Sequence, residues 1–193
     1  MHKFDPGQAH RLNDPERPKH ENPQMILKAA GIRSGMTVVD AGCGTGFYTF
    51  PASGLIGEKG LVYAVDMSKE MLKILKREIE KQNVKNVRAV VSEETSIPLD
   101  DGIADMVINV NMLHEAYDMD AFVRELKRLM KNNGILLLID HKKEPMPSGP
   151  PLQDRVSYED ATTLLKRWFD IVLKGPSGEY QYGLIAVKEN NGR

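Results

Sequence analysis

The stretch Val38-Val39-Asp40-Ala41-Gly42-Cys43-Gly44-Thr45-Gly46 decides the fold. An apolar run ends in a carboxylate, and three glycines at alternate positions then lead into a helical pattern. A parallel sheet uses such a turn to bring bare backbone against a ligand, because a Cβ would block close approach and tight turns often require positive φ. A carboxylate just before the glycines would repel phosphates, whereas it suits a ligand with an amino group or a sulfonium. The stretch therefore predicts a site for a nucleoside-bearing, positively charged ligand.

Short apolar runs and helical patterns alternate on both sides of this turn, which is typical of a parallel sheet. The predicted strands are 37–41, 61–65, 86–91, 104–110, 135–140, 169–174 and 179–188. The predicted helices begin at the N-caps Asn22, Ser68, Asp118 and Ser157, and one more follows the glycines as far as residue 56. Pro51 should bend that helix or mark its first turn. Asn133-Gly134 is predicted to end the helix that begins at Asp118.

The last two strands are joined by Gly175-Pro176-Ser177-Gly178, which is too short for a crossover helix. The last strand should therefore run antiparallel to its predecessor. The sequence predicts a single α/β domain over 1–193, with helices on both faces of a mostly parallel, seven-stranded sheet and a C-terminal antiparallel hairpin. Within it, 1–21 is expected to form an irregular arm that could close over the site as a lid, and 22–193 the core.

Composition narrows the class of protein. With a net charge of −1 over 193 residues, the chain has no overall basic surface for nucleic acid or anionic membrane. No run approaches the roughly 20 apolar residues of a membrane span, and the first residues lack a signal-peptide core. Cys43 is the single cysteine, and the five histidines do not pair at ligand spacing, so no metal site is predicted. We expect a soluble, cytoplasmic enzyme; the sequence does not indicate its oligomeric state.

Four segments resemble one family. Residues 40–46 resemble motif I of class I S-adenosylmethionine-dependent methyltransferases, and Asp66 at the end of the next strand resembles their ribose-binding acid. Residues 92–99 and 109–115 resemble segments of the methyltransferase type 11 and ubiquinone-biosynthesis-like group. The resemblance implies a Rossmann-like fold, S-adenosyl-L-methionine as cofactor, S-adenosyl-L-homocysteine as product, and a small-molecule acceptor.

The resemblance also implies a cofactor site, and for some of its residues a second interpretation is open. The implied cofactor-binding residues are Asp40, Gly42, Cys43, Gly44, Gly46, Asp66, Met67, Glu93 and Asn109. The glycine turn would place backbone amides against the methionine carboxylate, and Asp40 would face the ammonium. Asp66 would accept from the ribose hydroxyls or merely cap the next helix, and Glu93, rather than Glu94, would bind the adenine amine. Asn109 would contribute its backbone near the sulfonium, and Cys43 would fill space.

A catalytic base is needed only if the acceptor atom must lose a proton. His114 follows the fourth strand and is the candidate base; its alternative role is packing or a hydrogen bond to the cofactor. His141 is a second candidate at the rim, and His10 and His20 lie in the arm.

Three other functions are open from sequence alone. An RNA methyltransferase would use the lysines and arginines of the helices after Ser68 and Asp118, although such runs are usually solvated faces. A non-catalytic module would bind S-adenosylmethionine without turnover. An NAD-dependent oxidoreductase is disfavoured, because its turn has Gly-x-Gly-x-x-Gly spacing and Asp40 would oppose the diphosphate.

Overall fold

The computed structural model describes Gly7, residues 16–147 and residues 149–189. Its strands form one seven-stranded sheet in the order β3-β2-β1-β4-β5-β7-β6. The strands are β1 Thr37–Ala41, β2 Leu61–Asp66, β3 Val87–Val91, β4 Ala104–Val110, β5 Met130–His141, β6 Ile171–Gly175 and β7 Gln181–Val187. The first five strands pair in parallel, and β7 pairs antiparallel with both β5 and β6. The predicted Rossmann-like sheet with its terminal hairpin is confirmed.

Six α-helices accompany the sheet in the described part of the chain. They are α1 Arg17–His20, α2 Pro23–Ala29, α3 Thr49–Ile56, α4 Lys69–Lys81, α5 Met119–Leu129 and α6 Tyr158–Leu165. The predicted caps at Asn22, Ser68, Asp118 and Ser157 each accept a backbone N–H of the first helical turn. Pro51 is the third residue of α3, so it marks the first turn, where its missing N–H costs no helical hydrogen bond.

The sheet is buried on both faces. Val38 and Val39 are neighbours in β1, and both are fully buried, yet they belong to two different apolar clusters on opposite faces. Leu137 and Leu138 of β5 divide in the same way. Successive strand residues point to opposite faces, which explains why these strands read as continuous apolar runs rather than as alternating ones.

The predicted boundary between the fifth helix and the fifth strand is wrong. Helix α5 ends at Leu129, and Met130 already pairs with Ala104 of β4. The register then shifts, so that Met106 pairs with Ile135 and the intervening residues bulge outward. Asn133, with φ of 61°, and Gly134 form the turn of this bulge rather than the end of the helix.

The part of the predicted arm that the structure describes contains a single helical turn, α1. Residues before Glu16, including His2 and His10, lie outside the described residues apart from Gly7. Across the described chain, no helix has the length and apolar character needed to cross a bilayer.

Candidate active site

A cavity of about 880 Å³ opens beyond the carboxyl ends of the parallel strands, where β1 and β4 adjoin and the strand order reverses. Open parallel sheets bind their ligands at this switch point. Predicted site residues that line it are Asp40, Gly42, Cys43, Gly44, Asp66, Met67, Glu93 and His114. Residues more than seventy positions apart in sequence therefore meet at one edge of the sheet.

The glycine turn is shaped by close packing. Gly42 has φ of 82°, and a Cβ at this position would overlap the side chain of Met112. Gly46 has φ of 100°, and its Cβ would lie 2.6 Å from both Leu75 Cδ1 and Phe50 Cε2. Gly46 does not line the cavity. Its contact with the cofactor stays a prediction, and the packing shows that a glycine here lets α3 and α4 lie close to the turn.

Three backbone amides of the turn, whose contact with a ligand stays a prediction, donate to oxygens of the protein. The N–H groups of Gly42 and Cys43 both donate to the Val65 carbonyl, at 2.8 and 2.9 Å. The N–H of Gly44 donates to Asp66 Oδ2 at 2.8 Å. Helix α3 begins only at Thr49, so its first turn does not start at the glycines. A dinucleotide diphosphate needs such amides free, and this turn does not offer them.

Asp40 is a buried carboxylate in the wall of the cavity, with 2% of its surface exposed. Thr49 Oγ1 donates to its Oδ2 at 2.6 Å. Burial raises the pKa of Asp40 to about 7; the Thr49 hydrogen bond opposes this rise and the charge of Asp66 adds to it. A positively charged ligand beside this carboxylate would favour its ionised form, so the position suits such a ligand.

Asp66 ends β2 and holds the turn and the next helix together. Its Oδ2 accepts from Gly44, and its Oδ1 accepts from the N–H of Ser68 at 2.8 Å. Burial raises the pKa of Asp66, although these backbone donors oppose the rise. Each carboxylate oxygen has two lone pairs, so the residue keeps acceptor capacity toward the cavity that it lines.

Glu93 and Glu94 both line the cavity, but they differ in what else they bind. Glu94 Oε1 accepts from the N–H groups of Tyr117 and Asp118, at 2.6 and 3.3 Å. That carboxylate is therefore engaged in holding the segment before α5. Glu93 has an exposed side chain, and its backbone N–H donates to the Ser96 carbonyl. This difference favours Glu93 as the acid that meets an incoming base.

Two other predicted residues are buried. Asn109 is not among the residues that line the cavity, and its Nδ2 donates to the Ala41 carbonyl at 3.0 Å and so joins β4 to β1. Its backbone contact near the sulfonium stays a prediction. Val110, Asn111 and Met112 line the cavity instead. Cys43 is buried, and burial raises the pKa of its thiol well above the usual range, which suits a space-filling side chain.

His114 meets a carboxylate that sequence reasoning treated only as the end of a strand. His114 Nδ1 lies 2.7 Å from Asp140 Oδ1, and the backbone N–H of His114 donates to Asp140 Oδ2 at 3.0 Å. Burial by itself would lower the pKa of His114, but the hydrogen bond to Asp140 and the charge of Asp140 outweigh it, so the pKa is raised. The sequence indicated that both residues lie near this edge, since Asp140 ends the strand beside β4 and His114 follows β4, but it did not indicate their contact.

His141, the second candidate, also lines the cavity, and its ring packs edge-on against that of His114 with the centroids 5.7 Å apart. The pKa of His141 is lowered to about 4, mainly by burial, which the charge of Asp140 opposes and the charge of His114 reinforces. His141 is therefore neutral at physiological pH, and its buried Nδ1 has no protein hydrogen-bond partner among the described residues.

The arm forms one wall of the cavity, a role that the sequence did not specify by residue. Glu21 is buried; it accepts from Arg17 Nε at 3.0 Å and from the Tyr48 hydroxyl at 2.8 Å. His20 Nδ1 lies 2.7 Å from Glu179 Oε2, and the Glu179 N–H donates to the His20 carbonyl at 2.9 Å. These contacts join the arm to the segment after β1 and to the turn between β6 and β7.

The proline-rich loop after β5 forms another wall and is held by one buried arginine. Arg155 donates from Nε to the Pro150 carbonyl at 2.8 Å and from Nη1 to the carbonyls of Glu144 and Lys142, at 2.7 and 3.2 Å. Pro147, Gly149, Pro150 and Pro151 from this loop line the cavity. Within the described residues, no cluster of three or more His, Cys, Asp or Glu side chains is arranged to hold a metal ion.

The cavity lies at the switch point of a Rossmann-like sheet, and known proteins share this fold. Residues 32–173 match the family model described as a methyltransferase domain. A crystal structure of a SAM-dependent methyltransferase from Aquifex aeolicus superposes with a TM-score of 0.89 at 36% identity, covering 96% of this chain and 100% of that one. A putative S-adenosyl-L-methionine-dependent methyltransferase from Methanococcus maripaludis shares the fold, with a TM-score of 0.76 at 19% identity over 99% of this chain and 96% of that one.

The chain belongs to the class I S-adenosylmethionine-dependent methyltransferases, in the type 11 group, and S-adenosylmethionine is the cofactor of this family. A ubiquinone/menaquinone biosynthesis C-methyltransferase, UbiE, from Shewanella sediminis is 33% identical over 137 residues. That match covers 70% of this chain and 55% of the relative, so the chain spans about half the length of that protein.

Proposed function

We propose that the chain transfers a methyl group from S-adenosylmethionine to a small-molecule acceptor that enters the cavity between the arm and the proline-rich loop. The cavity of about 880 Å³ falls within the range of small-molecule sites, roughly 300–1,000 Å³. When bound, S-adenosylmethionine supplies an electrophilic methyl group on sulfur. The chain's own residues then have to orient the acceptor and keep water out.

In this proposal, the cofactor lies in the part of the cavity formed by the glycine turn and by the residues at the ends of β1, β2 and β3. Asp40 faces the positively charged end of the methionine moiety, and Asp66 accepts from the ribose hydroxyls. Met67 covers one face of the adenine and Glu93 accepts from its exocyclic amine. Gly42, Cys43 and Gly44 contribute bare backbone at the turn. This assignment is supported by the common cavity that these residues line, and by their position at the ends of adjacent strands.

The proposal of a small-molecule acceptor rather than RNA rests on the charge of the residues that line the cavity. Among the described residues that line it, Arg17 is the single lysine or arginine. Eight carboxylates line the same space: Glu16, Glu21, Asp40, Asp66, Glu93, Glu94, Glu115 and Glu179. Such a surface repels a polyanion, because phosphate contacts by lysine and arginine supply most nucleic-acid affinity. The basic residues of α4, including Lys73, Lys76 and Arg77, line a separate groove together with Val91 of β3. An uncharged or cationic small molecule is therefore favoured over RNA.

Two measurements test the proposal. The purified chain should bind S-adenosylhomocysteine in a calorimeter and gain thermal stability with added ligand, whereas NAD should do neither. Incubation with methyl-labelled S-adenosylmethionine should then move label into the small-molecule fraction of a cell extract and not into its RNA. Failure to bind S-adenosylhomocysteine would overturn the cofactor site, binding without label transfer would indicate a non-catalytic module, and label in RNA would overturn the acceptor class.

A further inference from the structure

We infer that Asp140 is the positioning residue of a buried Asp140–His114 pair, which turns the Nε2 of His114 into a base for an acceptor atom that must lose a proton. The inference rests on the proposed methyl transfer and goes beyond it, because it specifies the chemistry of the acceptor. Phenolic hydroxyls, enolic hydroxyls and activated carbon atoms carry such a proton, whereas a neutral amine attacks without this help.

The first step of the argument is the double contact between the two residues. Asp140 is completely buried, and its two oxygens accept from the ring and from the backbone N–H of His114, at 2.7 and 3.0 Å. The N–H of His141 donates to Asp140 Oδ1 at 2.7 Å, which fixes the carboxylate from its own strand. Together these contacts hold the carboxylate against the ring and the backbone of His114.

The second step concerns the ring nitrogens. Because Nδ1 faces the acceptor oxygen of a carboxylate, the neutral ring carries its proton on Nδ1. Nε2 is then the basic nitrogen, and the ring lines the cavity. A carboxylate that fixes the tautomer and orientation of a histidine is a recurring way to prepare a general base.

The third step is the set of charges around His114. Asp140 and Glu115 favour its protonated form, and Glu115 Oε1 lies 3.9 Å from Nε2. Arg155 acts in the opposite direction, and the neighbouring His141 is neutral. The two carboxylates prevail, so a proton taken up by Nε2 is held on a ring whose cationic form is stabilised. The charges around His114 therefore suit a reaction that leaves its ring as an imidazolium.

In the reaction, the acceptor O–H or C–H gives its proton to His114 Nε2. The freed electron pair on the acceptor atom forms the bond to the methyl carbon. The electron pair of the broken carbon–sulfur bond remains on sulfur, so S-adenosylhomocysteine leaves as a neutral thioether. The proton later passes from Nε2 to water, which restores the enzyme.

The test combines histidine NMR on the full chain saturated with S-adenosylhomocysteine with label transfer measured on the same chain without added S-adenosylhomocysteine. Nitrogen-15 shifts should identify His114 as the Nδ1–H tautomer in the wild type, with a pKa above the usual value of about 6.5. In Asp140→Asn, the amide would favour the Nε2–H tautomer, and the pKa of His114 should fall. Label transfer from S-adenosylmethionine into a small-molecule extract should drop by roughly 10²–10⁴-fold in Asp140→Asn and in His114→Gln.

The controls separate this inference from the proposed function. Asp100→Asn makes the same chemical change at an exposed residue outside the cavity and should leave tautomer and turnover unchanged. Unaltered affinity of Asp140→Asn for S-adenosylhomocysteine would show that the variant folds and keeps its cofactor site. An Nε2–H tautomer in the wild type, or wild-type turnover in Asp140→Asn, would overturn the inference. Loss of S-adenosylhomocysteine binding by the wild type would instead overturn the proposed function.

Discussion

Gly44 donates its backbone N–H to Asp66 Oδ2 at 2.8 Å, so the predicted ribose-binding acid also fixes the glycine turn beside it. The other oxygen of Asp66 accepts from Ser68 at the start of α4. One carboxylate therefore sets the distance between the turn and the helix that flank the proposed cofactor. We therefore expect a change of this carboxylate to lower both the affinity for the cofactor and the order of the backbone around it.

Asp66→Asn is expected to weaken S-adenosylhomocysteine binding by roughly 10–100-fold. An amide in place of the carboxylate loses a charge-assisted acceptor, and hydrogen bonds to charged groups are worth about 1.5–3 kcal/mol. Calorimetry at fixed pH measures the loss. Asp170→Asn, an exposed change outside the cavity, is the matched control and should bind as the wild type does. Unchanged affinity in Asp66→Asn would leave Asp66 with its backbone role alone.

The sequence predicted the position of this acid because a simple rule sufficed: carboxyl ends of neighbouring parallel strands meet at one edge. The same rule placed Asp40 and Glu93. The rule does not say to which face a side chain points, because the side chains of a strand alternate between faces. Asn109 is in register with Ala41 and turns its amide toward that residue's carbonyl, so the following residues reach the cavity instead.

The Asp140–His114 contact lay beyond sequence reasoning for a related reason. It joins residues 26 positions apart and depends on the register of β4 and β5, in which Val110 pairs with Ile139. The bulge after Met130 sets that register, and the pattern Asn133-Gly134 indicated a turn without locating the end of the helix. Local signals thus specified the elements, while the pairing between distant strands specified which side chains touch.

Cofactor affinity should depend on pH through Asp40. Burial raises the pKa of Asp40 to about 7 in the free protein, and a positively charged ligand favours the ionised form. Binding below pH 7 must therefore release a proton, so affinity for S-adenosylhomocysteine should rise between pH 6 and pH 8, by up to about tenfold, and level off above. Calorimetry in buffers of different ionisation enthalpy measures the released proton. Asp40→Asn should abolish this dependence, and a flat profile in the wild type would contradict the role of Asp40.

The proline-rich loop should become more mobile when the guanidinium group of Arg155 is removed. Its guanidinium bonds three backbone carbonyls of the loop, and a lysine cannot reproduce this geometry. Arg155→Lys should lower the free energy of unfolding by about 1–3 kcal/mol. It should also speed amide exchange at the described loop residues that carry an N–H, which are Lys142, Lys143, Glu144, Met146 and Gly149. Urea denaturation and hydrogen-exchange mass spectrometry measure the two effects. Arg167→Lys, at an exposed ion pair with Asp120, should change stability by less than about 1 kcal/mol.

Tyr48→Phe should release the arm from the cavity wall. The Tyr48 hydroxyl donates to buried Glu21 at 2.8 Å, and without it the carboxylate keeps the Arg17 bond but loses its neutral donor. A hydrogen bond to a charged group is worth about 1.5–3 kcal/mol, so the open arm should become roughly tenfold or more populated. Trypsin cleavage after Lys19 reports this population when closing outpaces cutting. Tyr117→Phe removes the hydroxyl of a residue that is 84% exposed, and its cleavage rate should match the wild type. Equal rates in all three proteins would show that the Tyr48–Glu21 bond does not hold the arm.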